Sequence, residues 1–345
     1  MRSLLCVLVM WLTVPALAHP YEPVFEALEA AVTEADEALM ADPDAADPAA
    51  LADLEARLEP VLAQWHEVAS VETVDWGVDW EQGIATELDY LNGMRPLIGV
   101  SWAVAPFRSG DELVADIVAT AHTARHLNQR PIVVSLLVGY GLEIGSRREA
   151  GRELARLSER ELEMLSTALS EMAPLPSMAD AIRGESDLFL VSLDQHDDPV
   201  KLSELLEMYT GEKPDAARLG VWADPAYRER VSGQVKSLYD EAARIAELDA
   251  DQRASATRRW QVLFDESEPV TQVFVPQLGR ATRTSDRFAV DQMLLGLALD
   301  GLIAGDVEGH VGDAADYEAL PDGGFKLSKV VDAEYTAELV VDGVE

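Results

Sequence analysis

The chain has one cysteine among its 345 residues, Cys6, and only five lysines among its 27 basic side chains. The cysteine falls within MRSLLCVLVMWLTVPALAHP. There Arg2 supplies a positive start, Leu4 to Val14 an apolar run, and Ala16-Leu17-Ala18 a small-x-small cleavage signal. That pattern predicts a signal peptide over residues 1–18 and an exported product, periplasmic or extracellular, that begins at His19. Removal of the segment leaves no thiol, which excludes disulfides, thiolate zinc sites and a cysteine nucleophile. Burial alone must then hold the fold together. Beyond this segment no apolar run reaches the ~18 residues that a spanning helix needs, so an integral membrane protein is not expected.

Scarce lysine leaves 63 acidic residues facing 27 basic ones, a formal net charge of −36 that becomes −37 without the +1 of Arg2. Such a field repels nucleic acid and anionic lipid heads, and no basic stripe offsets it locally. The expected partner is therefore a protein. Walker A, dinucleotide and G-x-S-x-G signatures are also absent, and no cofactor is expected.

What the sequence does contain is helical period. In PAALADLEARLEPVLAQWHEV, Leu51, Leu54, Leu58, Val61, Leu62, Trp65 and Val68 recur at steps of three or four. YEPVFEALEAAVTEADEALM reads as one similar helix, with the turn-rich DPDAADP after it. Ser158-Glu159-Arg160-Glu161 reads as a capping box, and Asp224-Pro225 as an N-cap with proline at the first helical position. Further helices fit 84–106, 111–128, 131–149, 250–264 and 285–304. PIVVSLLVGYGLEIG, apolar on most sides with Gly139, Gly141 and Gly145, reads as a central helix closely approached by a neighbour.

After the turn signal Leu320–Gly324, alternation replaces helical period: Phe325 and Leu327 against Lys326 and Ser328, then Tyr335, Ala337 and Leu339. The expectation is a mainly α protein, a largely antiparallel multi-helix bundle over 19–310, with a short β-hairpin or three-strand flap over 311–345. That flap is expected to share few side chains with the bundle.

The candidate chemistry centres on HTARHLNQRP. His122 and His126 stand four apart, so they share one helix face. A zinc protease would place glutamate after the first histidine, where Thr123 stands here, and two ligands are one short of the usual three. Val114 and Val118 continue the same row, which favours packed histidines. Asp194-Gln195-His196-Asp197-Asp198-Pro199 is the second cluster. With His126 it is similar to the scattered His…His-Asp…Asp pattern of all-helical metal phosphohydrolases, yet Asp198 capping a helix from Pro199 explains it without a metal. His19 at a cleaved terminus is similar, in that residue alone, to the copper brace of polysaccharide oxygenases, which are β-sandwiches. Trp76 and Trp80 fit burial at a helix start better than a sugar platform.

Two function classes follow. The favoured one is an exported, non-enzymatic scaffold or interaction protein with no committed metal or catalytic residue. The alternative is a metal-dependent hydrolase using His122, His126 and the His196-Asp197-Asp198 cluster.

VDWEQG at 78–83, ARHLNQRPIVVSLLV at 124–138 and DGGFKL at 322–327, in that order, resemble a broad group of exported, mostly helical bacterial proteins with a short β-ended tail. The resemblance implies a mainly helical fold and assigns no activity to any residue. The tail is also similar to the C-terminal ends of pseudopilins, whose long hydrophobic N-terminal helix has no counterpart here.

Overall fold

In a computed structural model the described residues are 19–41, 46–210, 220–274, 278–332 and 335–343. Residues 1–18, where the signal peptide is expected, and most of the DPDAADP connection lie outside them. The protein is mainly α, with fourteen α-helices among the described residues and a small C-terminal sheet. The helices are α1 Glu22–Ala31, α2 Glu34–Ala41, α3 Pro48–Ala69, α4 Tyr90–Val104, α5 Gly110–Leu127, α6 Val133–Glu153 and α7 Glu159–Glu171. They continue with α8 Met178–Gln195, α9 Pro199–Thr210, α10 Pro225–Ala246, α11 Ala250–Asp265, α12 Pro269–Phe274, α13 Leu278–Ala304 and α14 Val307–Val311. No described helix is long and apolar enough to cross a membrane.

Helix starts follow the cap chemistry. Glu161 accepts from the Ser158 backbone N–H at 2.7 Å while Ser158 Oγ accepts from the Glu161 N–H at 3.4 Å, a reciprocal box that satisfies two orphan donors of α7. Asp224 accepts from the Ala226 N–H at 3.0 Å, with Pro225 opening α10.

Two helices differ from the sequence expectation. YEPVFEALEAAVTEADEALM is not one helix but α1 and α2, broken at Val32-Thr33. Asp36 Oδ2 accepts from both the N–H and the hydroxyl of Thr33, each at 2.7 Å, and Arg57 of α3 holds its other oxygen at 2.7 Å. A new N-terminus with its own cap outcompetes helical continuity there. The stretch 84–106 is a 3-10 turn, Trp80–Ala85, and then α4. Gly83 at φ +62° kinks the turn from within, and a Cβ there would lie 2.1 Å from Ser192 Oγ of α8.

Three apolar cores share α6. Tyr21, Leu54, Leu58, Trp65, Met94, Leu97 and Ile98 form one, with Leu142 of α6. Phe189, Trp222, Tyr239 and Trp260 anchor the second, with Val133, Leu136 and Tyr140 of α6. Leu113, Ile117, Leu165 and Leu294 build the third, joined by Ala150 near the end of α6. Among Gly139, Gly141 and Gly145 of α6, close approach explains two: a Cβ at Gly145 would lie 2.0 Å from the Trp102 ring, and one at Gly139 2.5 Å from Asn128 Nδ2. Gly141 has no such neighbour within 4 Å.

Strands β1 Asp316–Ala319, β2 Phe325–Asp332 and β3 Tyr335–Val341 pair antiparallel in sequence order. Phe325 and Leu327 face inward, as their alternation predicts. The sheet is nevertheless no loosely attached flap. Phe325, Leu327, Ala337, Leu339 and Val341 are all buried in the third core beside Leu294, Leu295 and Leu299 of α13. Leu339 packs onto Gly151 of α6, and Arg148 of α6 donates to the Tyr335 hydroxyl. Period-2 alternation tells which face of a strand is apolar; it carries nothing about which surface that face will cover.

Candidate functional site

The row Val114, Val118, His122, His126 runs along one face of α5, and its two histidines have different surroundings. His126 is 2% exposed, and both of its ring nitrogens are hydrogen-bonded. Nε2 lies 2.8 Å from the Val71 carbonyl, which can only accept, so Nε2 carries the proton. Nδ1 therefore accepts, at 2.8 Å, from the hydroxyl of Tyr21. With its own proton given to His126, Tyr21 accepts from Thr123 Oγ1 at 3.1 Å, and Thr123 accepts from the Trp65 indole N–H at 2.9 Å. Every member of this chain has one direction available to it. Burial pushes the His126 pKa down, so the ring is neutral, and the same burial pushes the Tyr21 phenol up. The Trp76 indole adds a bond to the His126 carbonyl at 2.9 Å and stacks between Tyr21 and Tyr90. Trp76 is a wall of the first core, while Trp80 lies under the Arg130 guanidinium at 4.8 Å.

His122 is half-buried and lines a cleft. Burial first, then the charge of Arg125, lowers its pKa. The cleft, about 640 Å³, also has Val71, Glu72, Arg125, Glu171 and Pro174 in its walls. Ala168 and Glu171 of α7 are shared with a second hollow of about 590 Å³ that includes Val114, Ala115, Val118, Glu163 and Met164. The two form one groove between α5 and α7. Its floor is apolar and low because Ala115 and Ala168 are small, and Met164 stands 40% exposed on its edge. Asp111, Glu163, Glu171 and Glu72 border it, and none makes an ion pair with a described residue. Arg160 is the opposing cation. Arg125 is held by Glu143 at 2.8 Å, and Arg147 binds the other oxygen of that buried carboxylate.

The second sequence cluster lies elsewhere. His196 ends α8, its Nδ1 2.7 Å from the Ser192 carbonyl, and its own carbonyl accepts from the Trp222 indole. Asp197 is exposed, and its carbonyl accepts from Arg228. Asp198 caps α9, accepting from the Val200 N–H at 2.8 Å. Among the described residues no group of three or more His, Cys, Asp or Glu side chains is placed to hold a metal ion, so His122, His126, His196 and Asp197 do not form one site. His19 packs its ring on Phe25 and Trp76.

Sequence reasoning missed a buried ionic brace. Arg108, 3% exposed, grips Asp116 at 3.1 and 3.4 Å and reaches Glu55 at 3.1 Å; Asp116 in turn meets His66 Nε2 at 2.6 Å. The available signal was a lone carboxylate, Asp116, within the apolar run Leu113 to Val118. The His66–Asp116 pair ties α3 to α5.

No family model matches the chain, and neither the curated proteins nor the solved structures give a match.

Proposed function

We propose that this is an exported, non-enzymatic interaction protein whose α5–α7 groove receives an amphipathic helix with a basic face from a partner protein. The carrying observation is the groove itself: an apolar floor along Val114, Val118 and Ala168, bordered by four carboxylates that pair with no described residue. Its length suits such an occupant. α7, which forms one wall, has 13 residues, roughly 20 Å at the rise of an α-helix. Helix-in-groove recognition needs an apolar trough with charge at its rim, and an acidic rim selects lysine and arginine. The field of a chain at −36 draws a basic partner from a distance and leaves the rim to orient it. The side chains that would do chemistry are engaged in structure: His126 at both nitrogens, Asp198 at a helix cap, Asp116 by Arg108.

The test is fluorescence anisotropy with a labelled amphipathic Leu/Lys helix of about 14 residues, against a Leu/Glu helix of equal length, near physiological salt. The Leu/Lys helix should bind saturably at one per chain. Ala168→Arg, which fills the floor and changes the overall charge by one, should weaken it at least tenfold. Equal binding to the Ala168→Arg protein would refute the groove. Equal binding of the Leu/Glu helix would refute the charge argument.

A further inference from the structure

Along α4, away from the groove, two more clefts meet at Met40 and Arg95. One, about 760 Å³, is walled mainly by Phe25, Leu28, Val32, Pro96 and Val100. The other, about 680 Å³, lies between α4, the end of α6 and the edge of the sheet, and holds Arg95, Trp102 and Arg152. Glycines keep this surface low. Gly93 has the Phe25 ring over it, 2.7 Å from where a Cβ would sit, and Gly99 has no heavy atom within 4 Å of that position.

Three features of the polar cleft point to an anionic group. Arg95 makes no ion pair with a described residue, although the chain has 63 carboxylates to offer. Arg152 brings a second guanidinium from a different helix. The indole nitrogen of Trp102, a residue of the same wall, is buried and donates to no described residue; such an orphan donor is costly without an acceptor. Opposite charge is present but partly neutralised: Glu153 is held by Arg156, while Asp342 is exposed. Glu29 and Glu37 border the apolar cleft.

A small free anion would meet this acidic surrounding and the repulsion of the whole chain with nothing else to hold it. A ligand with an apolar tail has the adjoining cleft to fill. We infer that this double cleft binds a single-chain amphiphile with an anionic head, its tail among Phe25, Leu28, Val32 and Val100 and its head between Arg95 and Arg152. Solvent salt screens the long-range repulsion over about 8 Å, and the guanidiniums act at contact distance.

Calorimetric titration with sodium decanoate, kept below its micelle concentration, tests this. Decanoate should bind saturably at one per chain, and octanoate and hexanoate progressively more weakly, severalfold for each two methylenes removed. Arg95→Gln should weaken decanoate at least tenfold. Arg95 is exposed and makes no ion pair with a described residue, so that variant should melt like the parent. Gly99→Leu, which fills open space over α4, should weaken binding while also leaving the melt unchanged. Inorganic phosphate and decanol, the head and the tail alone, should each bind at least tenfold more weakly than decanoate. Absence of saturable decanoate binding, decanol binding as tightly as decanoate, phosphate binding as tightly as decanoate, or full binding by the Arg95→Gln protein would each overturn the assignment.

Discussion

The Tyr21 hydroxyl donates to His126 Nδ1 at 2.8 Å across 105 positions of sequence, tying the start of the described chain to the far end of α5. Tyr21 is 0% exposed, so the N-terminal segment is docked as core rather than lying on the surface. Tyr21→Phe would keep the ring and remove the oxygen, leaving a buried imidazole nitrogen without a donor and Thr123 without its acceptor. The expected loss is about 1–3 kcal/mol, read from denaturant unfolding. A loss of a few tenths would mean that water replaces the phenol.

The glycines of α6 give a paired prediction. Gly145→Ala drives a methyl into the Trp102 ring and should destabilise by about 1–3 kcal/mol. Gly141→Ala meets no atom within 4 Å and should stabilise by up to ~1 kcal/mol through helix propensity. Thermal melts that move in the same direction for both would contradict the packing described for α6.

Glu185 of α8 carries a pH dependence. Its carboxylate accepts from the Val133 N–H at 3.1 Å and from the Tyr239 hydroxyl at 3.4 Å, and burial pushes its pKa up to about 7 from an ordinary 4.5. The folded protein then holds a proton between those two values that the unfolded chain has released. This contribution to stability is full below pH 4.5 and is lost as pH rises through 7, with a slope of at most about 1.4 kcal/mol per pH unit. Glu185→Gln should remove that part of the slope in unfolding measured from pH 4.5 to 7.5. An unchanged slope would place the titration elsewhere.

The sheet should prove integral. Leu327 is 0% exposed between the strands and α13, so Leu327→Ala should cost about 2–5 kcal/mol. Deleting 316–345 should broaden or abolish the cooperative helical melt seen by circular dichroism. A truncated protein that melts as sharply as the whole would restore the picture of a detachable flap.

Much of the fold is legible in the sequence wherever the information is local. The Ser158 box, the Asp224-Pro225 start and the Asp198-Pro199 start appear as expected, because a cap is completed within three residues. The helical period of α3 correctly marks its buried face. The break between α1 and α2 was harder, since Thr33 and Asp36 compete with a continuing apolar stripe and Arg57, 21 positions away, supports them. The site was legible only in part. The row Val114-Val118-His122-His126 predicts one face of α5, but not that its end enters a core while its middle borders a groove; that depends on where α7 lies. Asp116 with Arg108 and His66, and Glu143 with Arg125 and Arg147, are pairings between elements that no spacing announces.

The central claim is that the α5 row is built for packing and docking rather than for metal chemistry. Long-range proton–nitrogen spectra of the histidine rings, recorded at neutral pH, test it most directly. Three samples suffice: the protein alone, with one equivalent of zinc, and with the Leu/Lys helix. His126 should remain the neutral, Nε2-protonated tautomer in all three, and His122 should shift with the helix but not with zinc. Zinc moving both rings together, or a bound helix that leaves His122 unmoved, would contradict the account.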